Sequence, residues 1–456
     1  MLLFCTTFIF GQNKSSLTPS DQSWIEKTIQ EHAQRNEVPS VVFALVRTDQ
    51  AVNYYSYGIE NWSSKVPVNE QTNYQIGSLS KLFTGTIIHH LIQDGAIDPQ
   101  VSISQYLDEH LDQKILEKIQ SIQVRDLLHH RAGMPNHGPS SPPTPNGIAM
   151  RGGYSQEVLL ADLAVIDIKE NFSEQMSYSN YAYGLLGFIA TQVSGQSYAE
   201  LLDQYILSPY QLASTTSDES QATHLATPYF IGKRTKATQA WEMGSETPAG
   251  GIFSNAKDLS QLMQHQLTVY QKKALKSPLF LTKDKRLFDR SGYMEYGYGF
   301  METRSYFDST ATKFEHGGDL DGFASQYKFF PELGLGYVLL TSSGGTWINE
   351  LDAVIEQKIL GLPIPEPIQL SSKILKSFTG KYRFSSGFKL ELVKVGSQLK
   401  ALFPGSDPVN IYPASETKLF FRHMNVQMDF TKNAKGNIEK VSYIQNGKAF
   451  YPEKVK

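Results

Sequence analysis

The sequence predicts two domains, an α/β domain followed by a small all-β one, and three observations predict them. Strand-like runs stand near both ends of the first 360 residues, at Ser40–Arg47 with Ala51–Ile59 and again at Ala324–Phe330 with Gly336–Ser342. Between them, up to about Leu267, the apolar spacing is mainly helical. Beyond Leu362-Pro363-Ile364-Pro365-Glu366-Pro367 only short strand-like pieces follow. At 456 residues the chain is long enough for each domain to bury its own core.

The first element is read as export machinery rather than fold. Leu2 to Phe10 is an apolar run ending at Gly11-Gln12, too short to span a bilayer, and no later stretch is long and apolar enough to do so. A signal peptide over residues 1–12 is expected, and with it a periplasmic or extracellular site of action. No Lys or Arg precedes the run, and a buried N-terminal strand is the alternative. Cys5, the only cysteine, lies in this run. Its removal would leave no thiol, and hence no disulfide, thiolate metal site or cysteine nucleophile.

Asp21–Arg35 has helical spacing through Trp24, Ile25, Ile29 and Ala33, and Thr48-Asp49-Gln50 joins the two strands that follow. Ser78–Asp94 reads as a helix with Leu82, Phe83, Ile87, Leu91 and Ile92 on one stripe and Gly95 just past its end. A proline- and serine-rich loop, Pro135–Pro145, interrupts the helical middle, and Asn255 with Asp258 marks a helix start. Pro331-Glu332-Leu333-Gly334 is the turn of the second strand pair, and Asn349–Leu360 is a closing helix.

Three prolines between Leu362 and Pro367 make a stiff linker, so residues 21–360 form the first domain, 361–371 the linker and 372–456 the second domain. In the second, Phe388–Val395, Gln398–Phe403, Lys418–Phe421, Val426–Phe430 and Ile438–Gln445 read as strands of a small antiparallel barrel or sandwich. The alternation Phe388, Leu390, Leu392, with Phe420, Met428 and Phe430, reads as its own core.

The net charge is -3, which offers no basic footprint for nucleic acid or anionic lipid. A small-molecule or peptide substrate is therefore the expected partner. The chemistry begins with a serine that has its base supplied. In Ser-x-x-Lys on a helix the two side chains sit one turn apart on the same face, so the Lys81 amine reaches the Ser78 oxygen. A serine at a helix start also lies in the positive end of the helix dipole. The pattern recurs at Ser254, Ser325, Ser386, Ser397 and Ser415. The last four fall in or beside strands, where positions three apart point to opposite faces. Helix capping by Asn255 and Asp258 accounts for Ser254, and Ser78 remains.

Tyr178-Ser179-Asn180 is the only Tyr-x-Asn. A tyrosine beside a lysine ammonium can have a lowered pKa and relay a proton, and an amide two residues on can hold both the lysine and a substrate carbonyl. Read alone, the tripeptide is also an ordinary turn before a helix. His316-Gly317-Gly318 precedes the strand Ala324–Phe330, where small residues let a substrate lie along a sheet edge; alone it too is an ordinary turn.

Taken in order, Ser78, Lys81, Tyr178, Asn180, His316 and Gly318 resemble the penicillin-binding and class C β-lactamase-related serine hydrolases, with their S-x-x-K, Y-x-N and K/H-x-G motifs. Leu127 to Pro135 is similar to that family's L-L-x-H-x-S-G-L-P stretch, and Pro248 to Ser254 to its P-A-G-G-L-x-S turn. The resemblance covers residues 21–360 and implies an antiparallel sheet flanked by helices with a mostly helical lobe, the site lying between them. It implies Ser78 as the acylated nucleophile, Lys81 as general base, Tyr178 as leaving-group acid and Asn180 as a substrate contact. The Ser78 and Asp319 backbone N–H groups would form the oxyanion hole, and no metal or organic cofactor is needed. The second domain resembles the small β-barrels appended to many such hydrolases.

His316 and Gly317 depart from the Lys-Thr of β-lactamases and many D,D-peptidases. Histidine near neutral pH is mostly uncharged, which shifts the expectation from β-lactams toward esters, amides or D-amino-acid peptides. The alternatives are a true β-lactamase or D,D-carboxypeptidase, or a binding or regulatory protein that keeps the fold. His129 and His130 are expected only to pack on a helix end.

Overall fold

The computed structural model describes residues 18–455, apart from 49, 142–151, 170–175, 231–233, 275–276, 278–293, 305–311, 346, 405–407, 425, 434–437 and 446–447. The expected signal peptide, Cys5 and the last residues of the proline-rich loop lie outside the described residues.

The strands run in chain order as β1 (Ser40–Arg47), β2 (Asn53–Gly58), β3 (Tyr74–Gln75), β4 (Phe253–Ser254), β5 (Met294–Tyr296), β6 (Met301–Arg304), β7 (Thr312–Asp319), β8 (Ala324–Phe330) and β9 (Leu335–Thr341). Seven form one antiparallel sheet in the order β2-β1-β9-β8-β7-β6-β5, so the N-terminal strand pair completes the sheet begun by the C-terminal hairpins. β3 and β4 pair separately, just ahead of the turn Gly77–Leu79 that carries Ser78.

β1 shows why its apolar run is unbroken: both faces of the strand are covered. Val41, Phe43 and Leu45 enter a core closed by helices Pro19–Arg35 and Trp347–Ile359. Val42, Ala44 and Val46 enter the larger core shared with the helical lobe. The alternation of a strand assigns neighbouring residues to opposite layers, and here both layers are apolar. Helix Pro19–Arg35 starts two residues earlier than its apolar spacing suggests, because Thr18 caps it reciprocally with Asp21 and Pro19 fits the first turn.

Between the sheet and helix Trp347–Ile359 lies a buried charge cluster. Lys328 pairs with Asp352, and its ammonium also lies 3.2 Å from Glu315 and 3.4 Å from Glu356. Lys313 bridges Glu315 and Glu356 at 3.1 Å each, and the Tyr337 hydroxyl donates to Asp352 at 2.7 Å. Ser325 and Lys328 thus point to opposite faces of β8, as their spacing requires: the Ser325 hydroxyl donates inward to the Ile76 carbonyl.

From Gly361 to Ser371 the chain takes no regular form, and helix Ser372–Phe378 leads into the second domain. Its strands are β10 (Gly380–Arg383), β11 (Lys389–Val395), β12 (Gln398–Leu402), β13 (Val409–Ser415), β14 (Lys418–Phe420), β15 (Val426–Lys432), β16 (Ile438–Gln445), β17 (Lys448–Phe450) and β18 (Glu453–Val455). They make one antiparallel sheet, β17-β16-β15-β14-β13-β12-β11-β10-β18, curled into a half-barrel. Leu390, Leu392, Met428 and Phe430 form its core as expected. Phe388 is exposed at the rim, and Phe420 instead packs beside Tyr412, 5.8 Å between centroids.

β13 escaped the sequence pattern because it contains Pro413. The proline sits where the pairing to β14 slips, and its carbonyl accepts from the linker amide of Ile368 at 2.9 Å. One residue earlier the Tyr412 hydroxyl donates to Glu350 of the first domain at 2.7 Å. Among the described residues no helix is long and apolar enough to cross a membrane.

Candidate active site

Ser78 occupies a 3-10 turn, Gly77–Leu79, that runs directly into helix Ser80–Gln93. The expected single helix from Ser78 therefore begins with a tighter turn, which leaves Ser78 half-exposed while Lys81 is buried. The helix is fixed to the turn at Pro248–Gly251: Ser80 Oγ accepts from the Ile252 amide at 3.0 Å, and Thr84 donates to the Pro248 carbonyl at 2.6 Å. Lys81 Nζ lies 3.4 Å from Ser78 Oγ and donates to Asn180 Oδ1 at 2.5 Å and to the Ala249 carbonyl at 2.8 Å. Complete burial pushes its pKa well below the usual range, against the opposing pull of the Glu246 carboxylate.

Tyr178 and Asn180 reach the site because helix Asn180–Ser194 starts there. Ser179 caps the helix by accepting from the Ala182 amide at 2.9 Å. The Tyr178 ring lies 4.7 Å from Lys81 Nζ. Its hydroxyl donates to His316 Nε2 at 3.4 Å. Burial pushes the Tyr178 hydroxyl above its ordinary range, with a hydrogen bond to Ser78 acting the other way. The lowered tyrosine pKa expected beside an ammonium is thus corrected: the desolvation that shifts Lys81 toward a neutral amine also favours the neutral phenol.

His316 lies on β7, opposite Tyr327 on β8. Its Nδ1–H donates to the Gly299 carbonyl at 2.5 Å, which leaves Nε2 as the acceptor facing Tyr178. Burial, then the nearby Lys81 amine, lowers its pKa to about 3. Gly318 must be glycine here, since a Cβ would stand 2.0 Å from the Ile76 carbonyl. The same close approach brings the Asp319 amide to the turn that carries Ser78, 3.3 Å from where a Cβ on Gly77 would be. The structure therefore brings together Ser78, Lys81, Tyr178, Asn180, His316, Gly318 and Asp319. Ser254 is elsewhere, buried against Thr215 at 2.7 Å beside the Asn255 cap.

Sequence reasoning missed four contributors. Gly299, with φ +81°, lies against the Lys81 carbonyl and orients His316. The Ala249 carbonyl holds Lys81, although only the turn around it was legible. His130 packs as expected, but its place is beneath the site: its ring lies 4.2 Å from that of Tyr178 and its Nδ1 accepts from the Ser179 amide at 3.1 Å. His137 accepts from Asn180 Nδ2 at 3.1 Å, and its other ring nitrogen lies 2.6 Å from Glu246. A histidine next to an asparagine in a proline-rich loop carries no signal in a single sequence.

A family model described as Beta-lactamase matches residues 25–358. The chain belongs to the Beta-lactamase family. This Beta-lactamase-family chain is 24% identical to Protein flp of Staphylococcus aureus (strain MW2) over 341 residues, 74% of the chain and 66% of that protein. It thus spans just under two thirds of the length of that curated relative. It is 27% identical to a Beta-lactamase of Providencia stuartii over 246 residues, 53% of the chain and 59% of that protein. Its fold is similar to an octameric penicillin-binding protein homologue from Pyrococcus abyssi. The TM-score is 0.68 at 19% identity, over 95% of this chain and all of that one. The expected mixed α/β fold of the Beta-lactamase family with a C-terminal β domain is therefore what the chain adopts.

Proposed function

We propose that this chain is a serine hydrolase that works through an acyl-enzyme on Ser78, on ester, amide or D-amino-acid peptide bonds. The observation that carries this reading is the Lys81 amine, wholly buried, shifted toward its neutral form and 3.4 Å from Ser78 Oγ. In acylation Ser78 Oγ attacks the substrate carbonyl carbon while its proton passes to Lys81 Nζ. The tetrahedral intermediate collapses as the leaving group takes a proton from the Tyr178 phenol, which is replenished from Lys81. Water then hydrolyses the Ser78 ester by the reverse proton path. The Ser78 and Asp319 amides supply the oxyanion donors. An active-serine phosphonate probe is expected to label the wild type and Ser254→Ala but not Ser78→Ala. Labelling that survives Ser78→Ala, read by peptide mass spectrometry, defeats the proposal.

The neutral His316 supports a substrate without a carboxylate next to the scissile bond. A charged hydrogen bond to such a carboxylate would be worth about 1.5–3 kcal/mol, or roughly ten- to a hundredfold in preference. His316→Lys should therefore raise kcat/KM for carboxylate-bearing β-lactams relative to neutral esters by about that factor. With its pKa held at about 3 by burial, the imidazole stays neutral from pH 5 to 8, so mild acid should leave the wild-type ratio flat across that range. A wild type that already prefers a chromogenic cephalosporin would instead favour the β-lactamase reading.

A further inference from the structure

Lys81 must face Ser78 with its lone pair, and the side chains behind it set that orientation. A neutral amine has two N–H bonds and one lone pair. Two neighbours of Nζ are carbonyl-type oxygens, Asn180 Oδ1 at 2.5 Å and the Ala249 oxygen at 2.8 Å, and both can only accept. They take the two N–H bonds, and the lone pair is left for the Ser78 hydroxyl at 3.4 Å. The arrangement depends on which way round the Asn180 amide stands. Reversed, its NH2 group would occupy the lone pair and Ser78 would have no base.

The amide's far side decides. Asn180 Nδ2 lies 3.1 Å from both Asn136 Oδ1 and His137 Nε2. Asn136 is itself an amide and can turn over to suit either polarity. His137 cannot, because its Nδ1 lies 2.6 Å from Glu246 Oε2, and a carboxylate only accepts. Nδ1 therefore carries the proton and Nε2 is the acceptor. Glu246 is completely buried, and the 3-10 turn Gly244–Glu246 leads straight into the turn that supplies the Ala249 carbonyl.

We propose that Glu246 and His137 are a positioning pair that locks the Asn180 amide and so aims the Lys81 lone pair at Ser78. Polarity runs one way along this chain of hydrogen bonds, from a carboxylate that only accepts to a hydroxyl that must give up its proton. The proposal builds on the serine-hydrolase reading and adds two residues that act through Asn180.

The test has two arms. Imidazole 15N NMR of the wild type should show His137 with its proton on Nδ1; a proton on Nε2 overturns the proposal whether or not the protein turns over. The other arm compares phosphonate acylation rates. His137→Leu removes the acceptor and should slow acylation roughly a hundredfold, in kcat rather than KM. His137→Gln restores an oxygen acceptor and should recover most of the rate. A His137→Leu enzyme as fast as wild type, or a His137→Gln enzyme as slow as His137→Leu, overturns the proposal. A wild type that does not label at Ser78 defeats the hydrolase reading instead, and the NMR arm still decides the tautomer.

Discussion

Replacing Lys81 by methionine is expected to slow acylation of Ser78 by roughly three to four orders of magnitude, the upper range for loss of a positioned general base. Methionine has nearly the same length and shape, so packing against the rings of Tyr178 and Tyr183, 4.7 and 5.5 Å from Lys81 Nζ, should persist. The fold should be no less stable, because a completely buried amine whose ionisation is disfavoured is replaced by an apolar group. The Asn180 and Ala249 oxygens that lose a donor set the limit on that gain. Stopped-flow labelling and a urea titration, run on the same preparation, separate the two effects. A variant that acylates at a tenth of the native rate or faster shows that another group takes the Ser78 proton.

Lys328→Met is expected to produce the largest loss of stability, about 3–5 kcal/mol, without touching the site. Burial alone would lower the Lys328 pKa, but Asp352, Tyr337, Glu315 and Glu356 raise it well above its ordinary value, so the ammonium persists in the native state. Its removal leaves Asp352 facing Glu356 under helix Trp347–Ile359 with only Lys313 to offset them. The Asp352 carboxyl is already raised by burial, with Lys328 holding it down. Without the lysine its folded-state value should climb further above the unfolded one. Stability would then be lost as pH rises through that value and regained on acidification. Equilibrium denaturation at pH 5 and pH 8 checks both magnitude and sign. A second change, Asp352→Leu, should recover much of the loss by deleting the unpaired charge.

The strands and helices built on apolar repetition were legible, and their placement in space was not. Ser40–Arg47, Ala324–Phe330 and Ile438–Gln445 fall where their residue pattern puts them. Among the strands that were missed, Val409–Ser415 carries a proline at a register slip, and Lys448–Phe450 and Glu453–Val455 are three residues each. At the site, Ser78, Lys81, Tyr178, Asn180 and His316 were legible because each lies in a short motif. Glu246 and His137 were not, since they meet across 109 positions of the chain. The protonation states were legible least of all. Whether Tyr178 and His316 are charged depends on burial produced by residues far away in the chain.

Gly299 couples two parts of the candidate site through one backbone position. Its backbone lies against the Lys81 carbonyl, so any side chain there would displace the start of helix Ser80–Gln93. Its own carbonyl fixes the ring that distinguishes this site from the lysine-bearing ones. A side chain at residue 299 would therefore disturb the backbone at Lys81 and the ring of His316 together.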